Sequence, residues 1–227
     1  MDYLQANHEH RKKGYLAENV ESFVFRVYGR IFKGEFGIDG SKGEKLLDFG
    51  CGGGTAVNYF HKKGFDAYGV DMSEVDIQRG KEEMPEIADR LAVIDPKPKA
   101  ADVFFGGGYD IAIAIQSMYY LSAPDLKIRL DSIYNQMKPG ALIYATMMGT
   151  RCDRYYNNSV EYKDGLRKVD FSLKRIQVKD NFINFTESEA DLLEKFKMFK
   201  KVHLGYYDAK YIESEGSGFH YIFIGQK

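Results

Sequence analysis

Residues 45–60, KLLDFGCGGGTAVNYF, constrain this chain more than any other stretch. An apolar run, Leu46 and Leu47, leads into Asp48, then into glycines at 50, 52, 53 and 54, and then into a helical pattern. That order reads as strand, tight glycine turn and helix, the opening unit of an open α/β sheet that binds a nucleotide-like ligand. The turn needs positive φ, and a ligand must reach the backbone without meeting a Cβ. The following helix offers amides at its N-terminus that no helical carbonyl satisfies.

The flanks narrow the ligand. A dinucleotide fingerprint wants Gly or Ala at the sixth position of G-x-G-x-x-G, and counting from Gly50 that position is Thr55. Asp48 ends the strand two residues before the first glycine, and a carboxylate there repels a pyrophosphate. It suits a positively charged ligand, such as an amino-acid ammonium next to a sulfonium. Here the sequence resembles the class I, Rossmann-like S-adenosylmethionine-dependent methyltransferases of small-molecule type. Their first motif, D-x-G-x-G-x-G, is filled without a gap by Asp48, Gly50, Gly52 and Gly54, with Cys51 inside the turn.

The resemblance implies a seven-stranded, mostly parallel, doubly wound α/β sheet with an antiparallel C-terminal hairpin and helices on both faces. It covers Lys45 to Lys227 apart from an insertion. A chain of 227 residues holds one such domain. We divide it into an N-terminal helical lid (1–44), a cofactor-binding core (45–146), an insertion over the acceptor site (147–185), and a closing helix and hairpin (186–227).

Acidic and basic residues nearly balance, with a formal charge of −1, so no global field calls for nucleic acid or a membrane surface. The polar N-terminus does not read as a signal peptide. Two cysteines make no disulfide framework and read as thiols of a reducing compartment, so the expectation is a cytoplasmic protein. The oligomeric state is left open.

Taken in order, Val20, Phe23, Val24, Val27 and Ile31 recur at helical spacing and predict a helix over 18–32. The preceding segment holds His8, His10, Arg11 and Tyr15, either a solvated charged face or, by the resemblance, a lid. As a lid, Tyr15 and Arg11 touch the methionine end of the cofactor and His8 reaches the acceptor. Residues 65–70 form the second strand. Asp71 at its end, about twenty positions past the glycines, accepts hydrogen bonds from ribose hydroxyls in either nucleotide reading. Met72 lies against adenine or packs in the core. Ser73 and Asp76 resemble a capping box for a helix over 74–84. Asp95, after a third strand at 91–94, receives the adenine amino group by the resemblance, or with Pro96 starts a turn.

Residues 109–115, YDIAIAI, are a fourth strand covered on both faces, opening with the family's aromatic–Asp pair. Beyond it lie Gln116, Ser117, Met118, Tyr119 and Tyr120, at the crevice where such sheets bind ligands. Gln116 and Ser117 are assigned to the cofactor, and Tyr119 and Tyr120 to the acceptor chemistry. No N-P-P-Y element follows, and no acidic residue stands where metal-dependent relatives begin a Mg²⁺ site, so no metal is expected. A helix over 126–137, the K-P-G turn at 138–140 and a fifth strand at 142–146 complete the parallel run.

In the insertion, strand-like pieces at 171–178 and 182–185 are expected. Basic residues outnumber acidic ones there by eight to five (Arg151, Arg154, Lys163, Arg167, Lys168, Lys174, Arg175, Lys179 against Asp153, Glu161, Asp164, Asp170, Asp180). They form a solvated face or the roof of a pocket, with Arg151, Arg154 and Arg175 gripping an acceptor's phosphate or carboxylate. Thr186 to Glu189 reads as a capping box for a helix over 187–197. Two last strands, 202–207 and 219–224, form an antiparallel edge pair.

The reading is methyl transfer to an oxygen of an anionic small molecule without a metal. Such an oxygen needs no base. If one is used, Tyr119, Tyr120, His8, His10, His203 and His220 are all candidates, the last two, in edge strands, reading more readily as structural. The alternatives are a non-catalytic cofactor-binding relative acting as sensor or partner subunit, a methyltransferase acting on protein or RNA, and a dehydrogenase, against which Asp48 and Thr55 argue.

Overall fold

Strand β1 (Lys45–Phe49) has both faces covered, with every residue after Lys45 buried. Successive side chains point to opposite sides of a sheet, so a strand this apolar must feed two cores. It does. Leu46 packs with Phe32, Phe60, Ile77, Ile113 and Tyr144 on one side. Leu47 packs with Leu130, Ala112, Ile143 and Phe223 on the other.

The structure, a computed structural model, describes residues 2–11, 19–173, 176–211, 213 and 216–227, without the side chains of residues 8, 10, 11, 173, 176 and 177. Beside β1 lie β2 (Asp66–Asp71), β3 (Leu91–Val93), β4 (Tyr109–Ala114) and β5 (Met137–Met148). The hairpin strands are β9 (Lys200–Tyr207) and β10 (His220–Gln226), and the sheet order is β3-β2-β1-β4-β5-β10-β9. The first five strands are parallel, whereas β10 runs antiparallel to both β5 and β9. The antiparallel pair therefore closes the edge, but only β9 is outermost, and β10 is interior.

Helices α3 (Thr55–His61) and α4 (Glu74–Glu83) follow β1 and β2, and α5 (Ala123–Gln136) connects β4 to β5. Ser73 caps α4 as expected, its hydroxyl accepting the Asp76 amide at 3.3 Å. Helix α5 starts three residues earlier than expected, because Ser122 caps it through the Asp125 amide and Pro124 occupies its first turn. The helix expected over 18–32 is a short helix α2 (Ser22–Val27) that widens into a π-helical segment, Tyr28–Lys33.

The insertion forms α6 (Asp153–Asn157) and its own antiparallel sheet of β6 (Ser159–Glu161), β7 (Arg167–Leu173) and β8 (Ile176–Ile183). The run expected as one strand over 171–178 is instead the meeting of β7 and β8, with Leu173 opposite Ile176. The N-terminal helix α1 (Tyr3–Arg11) is stitched onto β8: Asn7 Nδ2 donates to the Phe182 carbonyl at 3.0 Å, and the Phe182 amide donates to Asn7 Oδ1 at 2.7 Å. The last helix, α7 (Glu189–Lys195), is capped by Ser188 accepting the Asp191 amide at 3.2 Å rather than by Thr186. Thr186 instead joins the end of β5, its amide donating to the Met148 carbonyl at 2.8 Å. Among the described residues no helix is long and apolar enough to cross a membrane.

Candidate active site

The glycine turn is clasped from three directions. Gly50, Gly52 and Gly54 have φ of 78°, 54° and 85°, a region that side chains with a Cβ avoid. The Gly50 and Cys51 amides donate to the Val70 carbonyl at 2.8 and 3.1 Å. The Gly52 amide donates to Asp71 Oδ2 at 2.8 Å, while Asp71 Oδ1 accepts the Ser73 amide at 2.8 Å. A Cβ at Gly50 would stand 2.3 Å from Ser117 Cβ, so the loop after β4 presses directly on the turn.

That pressure begins at Gln116, whose φ of 52° is left-handed although it is not glycine. The strained residue is held by its amide to Thr146 Oγ1 at 2.8 Å and by Nε2 donating to the Tyr207 hydroxyl at 2.8 Å. Ser117 Oγ then donates to the Phe49 carbonyl at 2.8 Å.

Beneath the turn, Asp48 is 3% exposed, and its carboxyl has no hydrogen-bond partner among the described residues. Desolvation, with the Asp71 carboxylate adding to it, pushes its pKa up to about 8. A buried carboxyl left without a cation marks where a cationic ligand group belongs. Cys51 beside it is a protonated thiol, held so by burial, and Cys152 is likewise pushed up to about 11.

Two cavities flank the turn and share Gly50 and Tyr120. The smaller, an apolar slot of about 40 Å³, is lined by Asp71, Met72, Ile94, Asp95, Arg129 and Leu4, among others. Met72 thus lines this apolar slot. Asp95 is there too, and it also turns the chain: its oxygens accept the Lys97 amide at 2.9 Å and the Lys99 ammonium at 2.8 Å. Asp95 therefore makes the turn and also lines the slot.

The larger cavity, about 770 Å³, runs from Asp48 and the glycine turn past Gln116 and Tyr119 to Arg154 and His220. Among the three arginines assigned to the acceptor, Arg154 lines this cavity. Arg151 does not: it lies over the Phe219 ring at 4.2 Å, outside the lining. Arg175 and Tyr15 lie outside the described residues, and His8 and Arg11 are on α1 with side chains outside them. Leu4 and Asn7 of α1 line the slot instead, two contacts that the weak amphipathicity of α1 concealed.

Of the two late histidines, His220 is the one at the site. It opens β10 opposite Met148, at the carboxyl edge of β5, and lines the cavity. Its ring stacks on Tyr207 at 5.0 Å and 5° and tilts against Tyr119 at 5.5 Å. His203, by contrast, sits on outermost β9 with Nε2 2.8 Å from Glu35 Oε2, away from the site. Among the described residues no group of three or more His, Cys, Asp or Glu is arranged to hold a metal ion.

Comparison with known proteins places these features in context. A family model described as a methyltransferase domain matches residues 16–215. An uncharacterised methyltransferase of Synechocystis is 26% identical over 102 residues, covering 45% of this chain and 46% of the relative. A ubiquinone biosynthesis O-methyltransferase of Acinetobacter baylyi is 29% identical over 107 residues, covering 46% and 44%. The chain spans about half the length of the curated relatives it matches. Among solved structures, a SAM-dependent methyltransferase from Methanosarcina mazei superposes with TM-score 0.63 at 16% identity, over 92% of this chain and 98% of that one. A magnesium protoporphyrin IX methyltransferase from Synechocystis, with bound S-adenosylhomocysteine, gives 0.59 at 14% identity over 100% of both chains. At these identities the likeness is one of fold.

Proposed function

The chain belongs to the methyltransferase domain family, in the Rossmann-like class that uses S-adenosylmethionine, and we propose that it methylates an oxygen of a small, anionic acceptor without a metal. When bound, the cofactor supplies a methyl carbon activated by its sulfonium. The protein's work is then to bind, orient and exclude water, which is catalysis by proximity.

The observation that carries the reading is one cavity with a buried carboxyl at one end and an arginine at the other. Asp48, which has no cationic partner among the described residues, sits under the glycine turn, and Arg154 lines the same space. Asp48 takes the cofactor's ammonium, and the amides of Gly50, Cys51, Gly52 and Gly54 frame its amino-acid end. Asp71 receives the ribose hydroxyls, Met72 and Asp95 flank the adenine, and Gln116 and Ser117 brace the turn. Arg154 takes the carboxylate or phosphate of the acceptor, whose reacting end lies toward Tyr119 and Tyr120. The thiols of Cys51 and Cys152, unpaired in a disulfide, suit work in the cytoplasm.

Calorimetric titration with S-adenosylhomocysteine beside NAD tests the cofactor, and transfer of labelled methyl to a panel of carboxylated and phosphorylated hydroxyl compounds tests the acceptor. Micromolar binding of the homocysteine compound alone, with transfer that survives EDTA, supports the reading. Binding without transfer to any acceptor would favour a sensor or partner subunit. Preference for NAD would overturn it.

A further inference from the structure

His220 carries chemistry that the proposed function leaves unused. Its Nδ1 lies 2.9 Å from the Gly218 carbonyl, which has no proton to give, so Nδ1 bears the hydrogen and Nε2 carries the lone pair. Nε2 is buried and, among the described residues, has no hydrogen-bond partner. The tautomer is held from behind, since the Gly218 amide donates to Asp208 Oδ1 at 3.1 Å, and Ser217 Oγ donates to the same oxygen at 2.7 Å. Stacking on Tyr207 and contact with Tyr119 fix the ring plane. A basic nitrogen left unsatisfied and buried, on a residue that lines the cavity, costs stability unless a ligand donates to it.

Resting on the methyltransferase reading, we propose that the acceptor arrives as a protonated hydroxyl of an aromatic hydroxy acid, and that His220 Nε2 is the base that takes its proton. The cavity wall is rich in rings, with Tyr119, Tyr120, Tyr155 and Tyr211 beside His220, and it holds Arg154 for the acid group. Such a wall favours a flat acceptor carrying a single anionic charge. The step balances. The oxygen lone pair forms the O–CH₃ bond, the S–CH₃ bond breaks with its electron pair left on sulfur, and the O–H proton passes to Nε2 and then to solvent.

Among the described residues, the groups facing the ring are Tyr119, Tyr207 and the more distant Asp208 carboxylate. Burial pushes the imidazole down to about 4, against the opposing pull of the Gly218 carbonyl and Asp208. The lone pair is therefore available throughout the neutral range. A base this weak suffices, because an oxygen becomes far more acidic than imidazolium as its bond to carbon forms.

The test uses the full chain with ¹⁵N-labelled histidine, saturated with S-adenosylhomocysteine. The probes are 2-, 3- and 4-hydroxybenzoate, with benzoate as the control. The Nε2 resonance, identified by its loss in His220→Gln or His220→Phe, should shift with at least one hydroxybenzoate and stay put with benzoate. In His220→Gln, S-adenosylhomocysteine affinity should hold within about twofold, while transfer to that hydroxybenzoate falls roughly 100-fold at pH 7. The residual rate should climb with pH as the hydroxyl ionises by itself, whereas the wild-type rate stays flat. A structural histidine would not give that crossing of pH profiles.

No Nε2 shift with any hydroxybenzoate, or transfer by His220→Gln within threefold of wild type, overturns the proposal. So does a tenfold loss of S-adenosylhomocysteine binding in both variants, which would put His220 in the cofactor site. Failure of wild-type chain to bind S-adenosylhomocysteine is a separate result: it overturns the methyltransferase reading and this proposal with it.

Discussion

Asp48 and Asp71, near the carboxyl ends of neighbouring parallel strands, are in opposite states of satisfaction: Asp71 accepts two backbone amides, each at 2.8 Å, and Asp48 accepts none among the described residues. One carboxylate builds the loop, and the other is left for a ligand.

Asp48 should report cofactor binding as proton release. Its carboxyl, pushed up to about 8 by burial, is mostly protonated at pH 7, and an arriving ammonium favours the ionised form. Calorimetry in two buffers of different ionisation heat should show S-adenosylhomocysteine expelling a large part of one proton at pH 7. Asp48→Asn should expel none and bind at least tenfold more weakly. The sign for folding runs the same way. Between the ordinary carboxyl range and about pH 8 the folded state holds more protons than the unfolded one, so stability falls as pH rises through that window. Asp48→Asn should flatten that slope in urea unfolding, and an unchanged slope would refute the assignment.

Asp71→Ala should damage fold and binding together. It leaves the Gly52 and Ser73 amides without their acceptors, at a cost of about 1–3 kcal/mol each if they stay buried. Asp71→Asn keeps a carbonyl for one amide and should lose roughly half as much stability. Chemical denaturation of the three chains checks the order.

The turn's glycines should separate folding from binding. Gly50→Ala combines a φ of 78° with a Cβ 2.3 Å from Ser117 Cβ, so backbone must move. Gly52→Ala meets nothing within 4 Å at a φ of 54°. It should lose only the left-handed penalty of roughly 1–2 kcal/mol. Its methyl enters the ligand's space, however, so thermal melts should show Gly50→Ala as the less stable chain and calorimetry should show both with weakened binding.

Acid should destabilise the protein through His220. The unfolded chain protonates this imidazole near pH 6.5, and burial delays that in the folded chain to about pH 4. The unfolded state therefore binds the extra proton, and stability drops as pH falls through the window, by roughly 3 kcal/mol in full. His220→Phe should lack this loss. Equal acid slopes for the two chains would contradict the burial of the ring.

How much of this was legible beforehand depended on how local the signal was. The run from Lys45 to His61 declares strand, turn and helix within one short stretch, and Asp71 follows at a fixed offset. The cap at Ser73 was readable for the same reason. Ser122 carries an equally local cap signal, with Pro124 behind it, but the apolar period begins only at Leu126 and points to a later start. His220 had no local signal. Its environment comes from Met148, Tyr207 and Tyr119, and only the antiparallel register of β10 brings those together. The absence of a helix between β9 and β10 predicts a hairpin at the sheet edge but does not say which of the two strands is outermost. Asn7 is similar: its amide completes β8 from a helix whose sequence shows no clear face.

The interior position of β10 has a consequence for synthesis. Strands β1 to β5 and the glycine turn are complete once residue 148 has emerged, so the cofactor half of the cavity can assemble while the ribosome is still working. The other half is completed, by His220, only when residues 220–226 slot between β5 and β9. A chain halted after β9 would keep the turn but leave the long, apolar β5 with an open edge, a template for pairing with other chains. Arrested chains should therefore be found in aggregates, while the finished protein gains its acceptor wall and its protection from aggregation in a single event.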